Sequence, residues 1–209
     1  MKILDLYGLI EKLDVSFSEF KDPRDGKIYP TVKINGIEWF RENLNFDDTE
    51  EFGYAGLIKD VFDVDMPSME ASQECGRLYS FSSAQEACPE GWKIPERSDF
   101  IDLFKAITGK DPNEWKNPEK AMIFHTFCGK SSIMNVKQCG RFDYPNWQPS
   151  TEKRAKKMLS ETGLAFLFTS TPGAMTSGGA VFYFKSSDQS YAEDVKYGYY
   201  PVRPIKKNI

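Results

Sequence analysis

His125, Cys128 and Cys139 have the side chains best suited to metal chemistry, because imidazole and thiolate are zinc ligands. Their spacing, H-x2-C-x10-C, provides three ligands and no fourth. A structural zinc site needs four, so neither a metal nor another cofactor is expected. His125 is the single histidine. It has no nucleophile-elbow motif to serve as base, which weighs against Ser-His-Asp catalysis. Gly129-Lys130-Ser131 matches the end of a phosphate loop, but Phe124 stands where the first glycine must be. Residues 45–74 are rich in Asp and Glu, yet they lack EF-hand spacing and read as a solvated loop. No enzyme is expected from this inventory.

Binding chemistry is better represented. Tyr144, Trp147 and Tyr191 offer flat apolar faces that suit sugar rings and protein hot spots. Asp143, Asn146, Asp188 and Gln189 stand beside them with hydrogen-bonding groups. These seven residues are the candidate ligand site, for a glycan or a protein. Gln148-Pro149-Ser150 lacks the third oxygen-rich side chain of a calcium-binding triplet.

The elements that must position these residues can be read from periodicity. Ile3, Leu6, Ile10 and Leu13 recur at helical spacing over 2–13. Tyr29 to Leu44 reads as a hairpin, with Asn35-Gly36 as a type I′ turn between Val32/Ile34 and Ile37–Phe40. Ser82 to Ala87 reads as a short helix. Arg97 to Ile107 reads as a longer one, with Phe100, Leu103, Phe104 and Ile107 on one face and Gly109 as C-cap. Trp92 and Phe104 are expected in the core. Leu164–Thr169, Ala180–Lys185 and Tyr197–Ile205 read as strands, the last interrupted by two prolines.

The chain has 209 residues, 40% hydrophobic and 14% aromatic, enough for one substantial core. Its net charge of −4 gives no footprint for nucleic acid. The longest apolar run, Leu164–Phe168, is far short of the about 20 residues of a membrane span. Asp5 and Glu11 interrupt any secretion-signal core at the N-terminus, so the localisation stays open. Cys75, Cys88, Cys128 and Cys139 are expected as buried free thiols; a Cys128–Cys139 disulfide is the alternative for an exported protein.

Gly76-Arg77-Leu78-Tyr79-Ser80-Phe81 followed by Ala87-Cys88-Pro89-Glu90-Gly91-Trp92-Lys93-Ile94-Pro95 is distinctive. Together with Asp25-Gly26-Lys27-Ile28-Tyr29, Trp39-Phe40-Arg41-Glu42-Asn43-Leu44 and Tyr197-Gly198-Tyr199-Tyr200-Pro201-Val202-Arg203, it resembles the Fibrobacter succinogenes major paralogous domain. The resemblance implies an α+β, C-type-lectin-like fold: a mixed sheet with two flanking helices, paired terminal strands and long loops that meet the ligand. Residues 1–20 lie outside the resemblance and are expected as an N-terminal helical extension, with one domain over 21–209. The resemblance also implies export or surface attachment for most members. Pro204 stands where the family usually has a cysteine, so the disulfide that the family forms from the Cys88 position is lost here. The expected function is a non-enzymatic recognition module. The alternative is an assembly component that docks through its N-terminal helix.

Overall fold

The computed structural model describes residues 13–46, 76–79, 81–114, 116, 119, 123, 126–128, 132–136, 142–143, 164–172, 179–185, 192–194 and 198–207. The helix expected over 2–13 lies almost wholly outside them. The elements run β1 (Val15–Lys21), β2 (Ile28–Ile34), β3 (Ile37–Phe40), β4 (Leu78–Tyr79), α1 (Phe81–Ala87) and α2 (Arg97–Thr108). They continue with β5 (Phe142–Asp143), β6 (Leu164–Pro172), β7 (Gly179–Lys185), β8 (Ala192–Asp194), β9 (Gly198–Pro201) and β10 (Ile205–Lys207). The strands form one four-stranded sheet, β1-β2-β3-β10, and two three-stranded sheets, β4-β9-β5 and β6-β7-β8.

The class is α+β, as expected. The expected mixed sheet is not what forms: all pairings between these strands are antiparallel. The one parallel contact among the described residues is an isolated bridge between Cys128 and Val136. Short connections such as Asn35-Gly36 favour antiparallel neighbours, because parallel ones need long crossovers.

The hairpin turn forms with both residues at positive φ, 48° at Asn35 and 86° at Gly36, as a type I′ turn requires. Trp39 and Phe40 are consecutive in β3, so their side chains point to opposite faces of the sheet. Trp39 enters a core built with Phe100, Leu103, Phe104 and Ile107 of α2. Phe40 enters a second core with Tyr29, Tyr79, Ala84, Trp92 and Tyr200. One four-stranded sheet therefore serves two hydrophobic layers. Trp92 and Phe104 are both buried in them.

Helix α2 starts at a reciprocal capping box between Glu96 and Asp99 and stops at Gly109, whose φ is 70°. The Arg97 amide donates to the Thr171 hydroxyl (2.8 Å), which ties the helix start to β6. In the Cys88-Pro89-Glu90-Gly91-Trp92 motif, the Trp92 amide closes a turn on the Pro89 carbonyl at 2.9 Å. Gly91 occupies that turn at φ 79°, a conformation that favours glycine. Lys93 and Ile205 then exchange main-chain bonds of 2.9 and 2.8 Å, adding this stretch to the edge of β10.

Two expectations are corrected. Residues 15–21 are a strand, so the sheet begins before residue 21 and the boundary drawn at residue 20 falls inside β1. The single strand expected over Tyr197–Ile205 is two strands in two sheets. Between them the chain crosses over, with the Pro204 carbonyl accepting from Phe40 (3.0 Å) and the Val202 carbonyl from Leu44 (2.8 Å). A proline has no N–H to donate, so Pro204 takes part only as an acceptor. The pairing of β10 with β3 still brings the C-terminal strand into the hairpin's sheet.

Candidate recognition surface

The loop-bearing part of the molecule is organised by two arginines. Arg203 is fully buried between Val202 and Pro204. Its Nε donates to Asn43 Oδ1 at 2.9 Å and one Nη to the Asn135 carbonyl at 2.9 Å. The other Nη donates to the Phe40 carbonyl at 3.4 Å and to the Met134 carbonyl. Burial pulls its pKa down to about 9, so it remains a cation at neutral pH. Arg41 donates from Nε to the Ile133 carbonyl (2.8 Å) and from Nη2 to the Ser132 carbonyl (3.2 Å). Four successive carbonyls, 132 to 135, are thus held by guanidinium groups from opposite ends of the sequence. Asn135 sits at φ 49° within this loop, and its amide donates to Ser132 Oγ at 2.8 Å. Its position in the left-handed region suits an Asn.

A second fastening holds residues 41–46. Arg24 grips the buried Asp22 carboxylate through two bonds, 2.9 and 2.7 Å, and donates to the Ala87 carbonyl at 2.9 Å. Its guanidinium lies 3.6 Å from the centroid of the Phe46 ring. The hydrogen bond and charge of Arg24 lower the Asp22 carboxyl pKa despite the opposing effect of burial, the largest single influence on it. Tyr79 Oη bonds both the amide and the carbonyl of Phe46 at 3.0 Å, and Tyr29 Oη accepts from the Asn45 amide at 3.2 Å. Gly76 packs so closely here that a Cβ would stand 2.8 Å from both the Asn43 Cβ and the Leu44 carbonyl oxygen. Phe46 and Gly76, which flank the acidic stretch, are therefore pinned to one place.

The seven expected ligand residues are distributed as follows. Asp143 ends β5, where its main chain pairs with Gly198 of β9. Tyr144, Asn146, Trp147, Asp188, Gln189 and Tyr191 lie outside the described residues. Their flanking anchors are in different sheets: Asp143 in β4-β9-β5, Lys185 and Ala192 in β6-β7-β8. The described residues do not bring the two groups together.

His125, Cys75 and Cys139 also lie outside the described residues. Cys88 and Cys128 are free thiols, and burial pushes both pKa values up to about 12. A thiol so raised is protonated at neutral pH, the opposite of a ligand or nucleophile. Among the described residues no group of His, Cys, Asp and Glu could hold a metal ion. No described helix is long and apolar enough to cross a membrane.

Sequence reasoning missed Arg203, Arg41 and Phe17. Arg203 carries a faint signal, a lone charge between Val202 and Pro204. Phe17 lies 60% exposed on β1 with the Arg41 guanidinium 4.9 Å from its ring centroid. Nothing local marks that pair, because Phe17 and Arg41 are far apart in the chain and meet only across the sheet.

No curated protein and no solved structure matches the chain. A family model, the Fibrobacter succinogenes major domain, matches residues 32–206. That range spans most of the β2–β3 hairpin, helices α1 and α2, Arg41, Arg203 and two of the three residues of β10, and on that match the chain belongs to the Fibrobacter succinogenes major domain family.

Proposed function

We propose that this chain is a non-enzymatic recognition module of C-type-lectin-like arrangement that binds a glycan or a protein through its loops. The observation that carries the reading is how the framework uses its strong polar groups. Arg203, Arg41, Arg24, Tyr29 and Tyr79 each hold main-chain groups of the segments from which loops depart. Such a framework presents loops, and a rigid scaffold with functional loops is the usual division of labour in binding domains. The pairing of β10 with β3 supports the lectin-like arrangement, in which terminal strands share a sheet. Asp143, at the end of β5, leads directly into Tyr144, Asn146 and Trp147. Leu13 packs half-buried against the protein's own core, which favours this reading over docking through the N-terminal helix.

The test is a combined glycan and protein array with the full chain, followed by titration of any ligand found. Trp147→Ala and Tyr191→Ala should each weaken binding by more than about 1 kcal/mol, roughly fivefold, without changing the melting transition. If both variants bind as the parent does, the site is elsewhere.

A further inference from the structure

Strand β1 is the outer strand of its sheet among the described residues, with β2 as its partner there. Ser16, Phe17, Ser18 and Glu19 are exposed in succession. An outer strand presents N–H and C=O groups that another strand can satisfy. Phe17, Glu19 and Lys21 share the face that carries Val32 and Trp39, since directly paired residues lie on one side. On that face Arg41 stands over the Phe17 ring, held by two carbonyls. Neither Arg41 nor Glu19 makes an ion pair among the described residues.

We propose that β1 is a docking edge for a second copy of this chain, whose β1 pairs antiparallel with it about a two-fold axis through Ser18. In this register all seven residues overlap: Val15 faces Lys21, Ser16 faces Phe20, and Phe17 faces Glu19 of the other copy. Opposite Cβ atoms in such a ladder are about 4.5–5.5 Å apart. The second copy's Glu19 carboxylate therefore arrives beside the Phe17 ring, within reach of the Arg41 guanidinium. Two-fold symmetry makes the contact twice. Shifting the axis to Glu19 sets Glu19 against Glu19, which repels. Shifting it to Phe20 pairs Glu19 with Lys21 but leaves only three strand residues overlapping. Charge complementarity and full overlap thus select the same register. One strand pair buries less than the about 1,200 Å² of a standard interface, so the association is weak and salt-sensitive.

Sedimentation velocity on the full chain over a wide concentration range, at low and high salt, tests this. A reversible dimer that weakens with salt is expected. Glu19→Arg should reduce association at least tenfold, and Arg41→Glu likewise, with circular dichroism confirming that each remains folded. Mixing the two variants should restore a heterodimer, because each contact then joins opposite charges again. A chain that stays monomeric throughout would overturn the proposal. So would a dimer indifferent to Glu19→Arg, one lost only on deleting residues 1–12, or two folded variants that fail to recover on mixing.

Discussion

The two faces of the four-stranded sheet solve the same burial problem differently. The α2 face is almost wholly apolar: Val32, Ile34, Trp39, Phe100, Leu103, Phe104, Ile107, Ile123 and Phe127 pack together. Trp39 and Phe100 meet tilted at 5.1 Å between ring centroids, and Phe104 meets Phe127 edge-on at 5.3 Å. The opposite face is built with polar handles. Tyr29 stacks on Phe40 at 4.7 Å and Trp92 meets Phe40 edge-on at 4.5 Å. The Tyr29 and Tyr79 hydroxyls reach the main chain at 45 and 46. One face is held mainly by area and packing, with its arginine bonds confined to the 132–135 loop. The other also uses its aromatic rings to fix the place where a long segment departs. Arg203 joins the two, bonding Asn43 near the tyrosine face and Met134 within the α2 face.

Loss of Arg203, which bonds to both faces, should have the largest effect. Arg203→Ala should cost roughly 5 kcal/mol in denaturant titration, because the carbonyls of Phe40, Met134 and Asn135 lose their donor in a buried place. Arg203→Lys should recover only part of the loss, since an ammonium cannot span the same acceptors. A cost under about 1 kcal/mol for the alanine variant would show that the two faces are independent.

Next in size are single aromatic truncations, one on each face. Phe104→Ala and Trp92→Ala should each cost about 3–5 kcal/mol. The faces should then separate by limited proteolysis. Trp92→Ala is expected to speed cleavage within 47–75, whereas Phe104→Ala at equal destabilisation should not. Equal cleavage in both would mean that the tyrosine face does not control that segment.

The smallest effect is the response to alkali. Burial raises Tyr29 from 10.0 to about 12 and Tyr79 well above 10.0, while Cys88 rises from 9.0 to about 12. Between pH 9 and 12 the unfolded chain releases these protons and the folded chain keeps them, so stability falls as pH rises. Cys128, on the α2 face, acts in the same direction. Arg203 acts oppositely, because its folded value is the lower one. Four groups against one give a net loss, mostly from the tyrosine face. Denaturation midpoints at about pH 8 and about pH 10.5 should differ in the parent and differ less in Tyr79→Phe. A midpoint that does not move with pH would contradict the burial of these hydroxyls and thiols.

Local chemistry is legible in the sequence itself. Asn35-Gly36 specifies its turn because few other residue pairs tolerate two positive φ values. The stripe Phe100, Leu103, Phe104 and Ile107 with Gly109 after it specifies α2, because period and cap are both local properties. The motifs around Gly76 and Trp92 are enough to identify the family. The candidate ligand residues are legible only as a composition: of the seven, Asp143 alone has a described place, in the main chain of β5.

What the tertiary structure decided is everything that depends on distant partners. β1 escapes a reading by periodicity because Val15 packs toward the α2 core and Phe20 toward the tyrosine core. Its apolar residues therefore show no single-face alternation. Which sheet receives β9 and which receives β10 depends on the crossing between Pro201 and Ile205, not on either strand's composition. The opposite fates of Trp39 and Phe40 follow from pleat geometry, but which core each enters is set by α2 and Trp92, at least 50 residues away in sequence. Arg203 has its role set by four acceptors from 40, 43, 134 and 135 that surround it only in the folded chain. A buried charge is tolerable only where acceptors converge, and only the folded chain brings them together.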